Sequence, residues 1–337
     1  MQYPKVLLTG VTGFIAKRIA YDLLRAGHQV TGSLRTTARQ TEVIATLRAN
    51  GLDDGQLANL SFTPLDLTSD DGWEAALAGH DALIHTASPF PLGDAGGEAA
   101  IVTPALAGTK RALTAAHKAG VQRVVLTSST EAIMHCAANI LTEACWTDLS
   151  RPSVSAYTKS KTLAERAAWE FAAQHPDMQL TVINPGMVVG RPLDEAYGSS
   201  IKVVKRIFSG KDPMLPDLSL PVVDLEDVAA AHVAALGAPD SIGQRYLLTD
   251  RMMTMLDMAD SLRESYPDRR FAKRRAPKWI ISAMALFDGT LRQVKNMQGW
   301  HPTVDHSAAQ RDLGITFTPA PDALLKSAAF LAQQQRG

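Results

Sequence analysis

"KVLLTGVTGFIAKRIA", residues 5–20, reads as a strand that turns directly into a helix. A short apolar run ends at Thr9, and a helical pattern begins at Phe14. Between and just beyond them, Gly10, Gly13 and Ala16 recur at intervals of three. Gly10 permits a tight turn, Gly13 lets the backbone approach a pyrophosphate, and a small residue at Ala16 lets the helix pack on the strand. The helix N-terminus then offers unpaired N–H groups and a partial positive charge to the anion. A structural turn alone would also place glycines here, but a strand before and a helix after give the match its meaning.

The rest of the chain extends this unit. Short strand-like runs ("HQVTGSL", "LSFTPL", "DALIHT", "RVVLTSS", "QLTVINPG") alternate with helical patterns near 14–25, 42–48, 73–78, before Gly120 and from Tyr157 onward. That alternation predicts an α/β fold, a doubly wound parallel sheet of the Rossmann type covered on both faces. Gly27 and Gly120 sit just past helical patterns, where a left-handed residue ends a helix. Beyond "NPGMVVGRP" the alternation weakens. The expected organisation is a dinucleotide-binding domain over 1–190 and a smaller substrate lobe over 191–337, with 218–250 returning to the core.

Bulk properties narrow the function classes. The chain has 337 residues and 46% apolar content, with 34 basic and 34 acidic residues. No long basic block marks a nucleic-acid partner. The start lacks a secretory pattern, and "WIISAMALF" is too short to span a bilayer, so a soluble, cytoplasmic protein is expected. Cys136 and Cys145 are too few for a disulfide framework or a zinc site and read as reduced structural thiols; no metal is expected.

An acid at the end of the second strand would bond the ribose 2′-hydroxyl of NAD. Here that end reads "TGSLRTTAR", with Arg35 and Arg39 and no carboxylate. A guanidinium fork suits a 2′-phosphate, so NADP(H) is the expected cofactor. Asp66 in "PLDLTSD" could accept from the adenine amino group, or could cap a helix.

"SAYTKSKTLAE" sets Tyr157 and Lys161 four residues apart on one helical face. Any amphipathic helix can carry such a pair. Beside a nicotinamide, however, a carbonyl reduction needs a proton for the developing alkoxide. A phenol ionises near 10, and bringing it to neutrality takes roughly 4 kcal/mol, which an ammonium neighbour and the oxidised ring can supply. "LTSST" ends the fifth strand with Ser128, Ser129 and Thr130, from which a group could orient the substrate oxygen.

Taken in order, "TGVTGFIA", "SLRTTAR", "LDLTSDDGW", "HTASPFP", "VVLTSST", "TEACWTD", "YTKSKTLAE", "NPGMVVG", "PVVDLEDVAAAHV" and "DHSAAQRDLGITFTP" resemble the extended short-chain dehydrogenase/reductase superfamily. Within it, the chain is similar to the dihydroflavonol 4-reductase, cinnamoyl-CoA reductase and microbial aldehyde or ketone reductase group. The resemblance implies that Ser129, Tyr157 and Lys161 are catalytic and that Arg35 and Arg39 hold the 2′-phosphate. It assigns Gly10, Thr12, Gly13, Phe14 and Ile15 to the turn, Asp66 and Leu67 to adenine, and Ala87 to the ribose. Pro185, Gly186 and Val188 would line the nicotinamide, with a backbone contact at Val188. Pro89 and Phe90 would shape one wall of the substrate pocket, and His135 could reach a substrate, although a lone histidine is more often structural. His306 stands where the group more commonly has asparagine. The implied activity is NADPH-dependent reduction of an aldehyde or ketone. The competing readings are a sugar-nucleotide epimerase or dehydratase of the same superfamily and a non-catalytic NADP(H) sensor. A homodimer through helices flanking the sheet rests on family analogy alone.

Overall fold

β1 (Lys5–Thr9) lies inside a seven-stranded sheet whose flanks are covered by helices. The computed structural model describes residues 4–88, 97–285 and 294–335. The other strands of this sheet are β2 (Gln29–Leu34), β3 (Leu60–Pro64), β4 (Ala82–His85), β5 (Arg123–Thr127), β7 (Gln179–Pro185) and β10 (Arg245–Leu248). Their order is β10-β7-β5-β4-β1-β2-β3, and every neighbouring pair is parallel.

Parallel neighbours need crossover connections, which are supplied by α1 (Phe14–Arg25), α2 (Gln40–Ala49), α3 (Asp54–Leu57), α4 (Trp73–Leu77), α5 (Gly97–Lys118), α6 (Ala156–Gln174), α7 (Ser199–Phe208) and α8 (Leu225–Gly237). Because both faces are covered, β1 is apolar on both: Val6 and Leu8 pack with α1 and α8, while Leu7 packs with α5. The chain winds outward from β1 to β3 and then crosses back to β4. That reversal opens a crevice beyond the carboxyl ends of β1 and β4, the place where such sheets take ligands.

Five further strands complete the set among the described residues: β6 (Ile140–Leu141), β8 (Met187–Val189), β9 (Ser219–Asp224), β11 (Arg251–Thr254) and β12 (Thr303–Val304). β9 pairs with β8 and β11 in a second, three-stranded sheet. The stretch 218–250 therefore divides: β9 enters the small sheet, α8 covers a face of the large one, and β10 forms its edge. A second apolar core joins α7, β9 and the helices Met255–Ser265 and Ala320–Gln334.

Candidate active site

The turn after β1 is built for close approach. Gly10 has φ of 69°, and a Cβ there would sit 3.1 Å from Ala87 Cα and Cβ. The Gly13 N–H donates to Gly10 O at 2.8 Å, and Gly13 caps α1 with no side chain over the helix end and no acid in its first turn. An open N-terminus above a glycine cradle fits a pyrophosphate. Thr9 ties this turn to β4: its Oγ1 accepts the N–H groups of Thr86 and Ala87, each at 3.1 Å. With both lone pairs engaged, its hydroxyl proton points to His85 Nδ1 at 2.9 Å. His85 is therefore neutral, and burial with the charge of Lys161 pushes it down to about 3. Ala87 and Lys161 line a common small cavity at the crevice.

At the end of β2, Arg35 is exposed and its charge acts on Asp66. Arg39 is occupied: its Nε and Nη2 donate to the Glu42 carboxylate at 2.8 and 2.7 Å. Asp66 caps no helix. Its Oδ1 accepts from Thr68 N and Thr68 Oγ1, both at 2.7 Å, and these bonds hold the carboxyl below its usual range. Leu67 packs beside Gly108 of α5.

Ser155 caps α6 by accepting from Thr158 N at 3.0 Å, which sets Tyr157 in the first turn and Lys161 one turn later. Ser129 lies two residues past the end of β5 and caps the 3-10 turn Thr130–Ala132, accepting from Glu131 N at 3.2 Å. A hydrogen bond joins the Ser129 and Tyr157 hydroxyls. Burial, followed by the nearby Glu131 carboxylate, pushes the phenol up to about 12, and Ser129 only partly offsets this. The electrostatics thus run opposite to the sequence argument, in which Lys161 lowers Tyr157. Lys161 is itself buried and pulled down to about 8, with Glu165 working against that fall. The physical reason is desolvation, which penalises both charged forms.

Beneath Lys161 lies a dense polar network. Glu165 accepts from Ser128 Oγ at 2.5 Å and from Asn184 Nδ2 at 2.6 Å, and it pairs with Arg245 Nε at 2.7 Å. Asn184 Nδ2 also donates to Ser129 O at 3.0 Å, and the Arg245 guanidinium lies 3.9 Å from the Trp146 ring centroid. This network fixes the end of β5 against α6 from both sides. Gly186 follows β7, where any Cβ would collide with the Pro221 carbonyl oxygen. Val188 is buried, in register with Val223. Pro89 and Phe90 lie outside the described residues. His135 is buried, with Nδ1 3.1 Å from Ser153 Oγ and Nε2 3.5 Å from Glu131 Oε2. His306 binds the Thr249 carbonyl through Nδ1 at 2.7 Å.

Among the described residues, no cluster of three or more His, Cys, Asp or Glu could hold a metal, and no helix is long and apolar enough to cross a membrane. Cys136 and Cys145 are free thiols in hydrogen-bonding contact.

The model of the NAD dependent epimerase/dehydratase family matches residues 6–248. The chain belongs to this family. Within the NAD dependent epimerase/dehydratase family, it is 32% identical over 269 residues to cinnamoyl-CoA reductase 1 of Arabidopsis thaliana, covering 78% of this chain and 75% of that enzyme. It is 30% identical over 288 residues to the NADPH-dependent methylglyoxal reductase GRE2 of Saccharomyces cerevisiae, covering 78% of this chain and 82% of that one. The crystal structure of the yeast enzyme, a methylglyoxal/isovaleraldehyde reductase complexed with NADPH, superposes with a TM-score of 0.81 at 26% identity, over 99% of this chain and 100% of that chain.

Family motifs drew attention to Ser129, Tyr157 and Lys161, and the structure brings all three to the β5 and α6 ends of the crevice. They did not flag Glu131 or Glu165. Glu165 had a readable signal, since it follows Lys161 by four residues, one helical turn further along the same face. Glu131 had none, because its position beside Tyr157 depends on the 3-10 turn after β5.

Proposed function

We propose that this family member reduces an aldehyde or ketone to the alcohol with NADPH. The observation that carries the reading is the hydrogen-bonded Ser129 and Tyr157 pair, with Lys161 one turn along α6 in a cavity shared with Ala87. When bound, NADPH supplies the hydride. The cofactor residues fit it: the Gly10 and Gly13 turn with Thr12, Phe14 and Ile15 at the pyrophosphate, Arg35 and Arg39 at the 2′-phosphate, Asp66 and Leu67 at adenine. Ala87 lies at the ribose, and Pro185, Gly186 and Val188 at the nicotinamide.

Ser129 holds the substrate oxygen, and Tyr157 delivers a proton to it. A phenol pushed up to about 12 is fully protonated at neutrality, so the acid is loaded before substrate arrives. Its proton leaves only once alkoxide charge develops, because an alkoxide is more basic than the phenolate. Lys161, pulled to about 8, is still an ammonium at neutral pH and stabilises the phenolate left behind. The second apolar core, built from α7, β9 and the helices Met255–Ser265 and Ala320–Gln334, supplies the substrate lobe, whereas Ala309, Leu313 and Ile315 pack in the core of the large sheet and lie outside it.

The family name also covers epimerases. Arg35 in place of an acid at the end of β2 favours the reductase reading, as do relatives named as NADPH-dependent reductases. The test is transfer of label. With NADPH deuterated at the reactive nicotinamide carbon and benzaldehyde or phenylglyoxal as substrate, deuterium should appear on the carbinol carbon of the product. An enzyme that keeps the label on its cofactor, or turns over none of a panel of aldehydes and ketones, is not this reductase.

A further inference from the structure

Glu165 follows Lys161 by one turn of α6 and is 1% exposed. The two side chains line one cavity of about 10 Å³, room for a single water at most. Among the described residues, no other charged side chain lines it. β4 contributes His85, which is neutral, and α5 and β5 contribute Thr109, Thr127 and Ser128. The other carboxylate nearby, Glu131, is turned to Thr158 Oγ1 at 2.5 Å and His135 Nε2 at 3.5 Å. Burial works against the ammonium of Lys161, and Glu165 is the anion that works for it.

The same carboxylate also reaches the serine. Its Oε2 accepts from Ser128 Oγ at 2.5 Å and from Asn184 Nδ2 at 2.6 Å, and that amide donates as well to the Ser129 carbonyl at 3.0 Å. Its Oε1 faces Arg245 Nε at 2.7 Å and takes a long bond from Trp169 Nε1 at 3.4 Å. Arg245 comes from β10, and its Nη1 donates to the Glu143 and Cys145 carbonyls at 3.3 and 2.8 Å. The Glu143 carboxylate, the next charge beyond Arg245, accepts from Leu247 N at 3.1 Å. One buried carboxylate therefore serves two cations, Lys161 on its own helix and Arg245 on the edge of the sheet. Removing it leaves both cations buried without their anion, whereas removing Arg245 leaves it to Lys161 alone.

We infer that Glu165 is a positioning residue for the reduction. It holds Lys161 as an ammonium one turn from Tyr157 and, through Asn184, sets the backbone that carries Ser129. This rests on the reductase reading and adds to it a residue that touches neither substrate nor cofactor. A second layer of this kind keeps the acid, the cation and the oxygen-binding hydroxyl in one geometry.

The test follows kcat/KM against pH in the full-length enzyme and its variants, with NADPH and phenylglyoxal, or whichever carbonyl compound the enzyme reduces fastest. Urea unfolding of each variant runs beside it. In Glu165→Gln the alkaline limb should move down by about one pH unit, and kcat at neutrality should fall about tenfold with KM within about threefold. Glu165→Asp keeps the charge and should hold the limb within about 0.3 unit of wild type. Arg245→Met should move the limb up, and Arg245→Met/Glu165→Gln should bring it below wild type even though the second substitution recovers stability. A merely structural residue would make activity follow stability. Labelling with trace acetic anhydride, read at Lys161 by mass spectrometry, should report the same shifts without turnover. Limbs and labelling midpoints within about 0.2 unit of wild type in Glu165→Gln and in the double variant overturn the role of Glu165 while leaving the reductase intact. If the wild type reduces no carbonyl compound, the reductase reading fails and this role fails with it.

Discussion

Arg39 grips Glu42 through both prongs of its guanidinium, Nε at 2.8 Å and Nη2 at 2.7 Å. The pair lies just past β2, where a 2′-phosphate would be read, and it has no net charge. If the proposed 2′-phosphate site is right, discrimination for NADPH would fall first to Arg35, with Arg39 engaged only after it leaves its carboxylate. Glu42→Gln should free Arg39 and lower the KM for NADPH about three- to tenfold, leaving the KM for NADH within twofold. Arg35→Ala should raise the KM for NADPH about tenfold or more and spare NADH. Steady-state kinetics with both cofactors checks this, and equal effects of either variant on the two cofactors would remove the 2′-phosphate from the account.

The pH dependence of reduction should report Lys161. Its ammonium is present below about 8 and is lost as pH rises through that value, whereas Tyr157, at about 12, stays protonated throughout. The kcat/KM for reduction should hold steady near neutrality and decline on the alkaline side. Lys161→Arg keeps its charge and should flatten that limb while lowering the rate. A wild-type profile that stays level past about pH 9 contradicts the role given to Lys161.

Gly10→Ala tests the cradle. A φ of 69° costs an L-residue about 1–2 kcal/mol, and the new methyl would press on Ala87 at 3.1 Å. The variant should unfold at lower temperature and show little of the rise in Tm that NADPH gives the wild type. Unchanged stabilisation by NADPH would show that the turn does not hold the pyrophosphate.

The network under Lys161 should be costly to break and tolerant of complete replacement. Arg245→Met leaves the buried Glu165 carboxylate with Ser128, Asn184 and a long bond from Trp169 Nε1 at 3.4 Å in place of its arginine, an expected loss of about 3–5 kcal/mol in urea unfolding. Adding Glu165→Gln should restore a substantial part of it, because the stranded charge is gone. A single variant within about 1 kcal/mol of wild type would mean that the ion pair contributes little.

Much of this was readable in the chain itself, for definable reasons. Gly10, Gly13 and Ala16 recur at a spacing with one common use, and the apolar runs of a sheet covered on both faces declare themselves without alternation. Tyr157 and Lys161 share a helical face by arithmetic alone. Most of what stayed hidden depends on distant segments meeting. The pairing of Arg39 with Glu42 is the local exception, three residues apart, made where the 3-10 turn Thr37–Arg39 leads into α2. The rise of Tyr157 comes from burial and from Glu131, which the turn after β5 delivers, and neither appears in a helical spacing. β9 carries the same apolar pattern as a core strand, yet its hydrogen bonds go to β8 and β11.

The central claim is that Tyr157 gives its proton to a carbonyl oxygen while NADPH reduces the carbon, and Tyr157→Phe tests it most directly. The decisive measurement is single-turnover NADPH oxidation with an aldehyde, beside an NADPH binding titration of the same variant. The account predicts binding within about threefold of wild type and a rate about 10²–10⁴-fold lower. A phenylalanine variant that binds NADPH normally and oxidises it within about tenfold of the wild-type rate would contradict it.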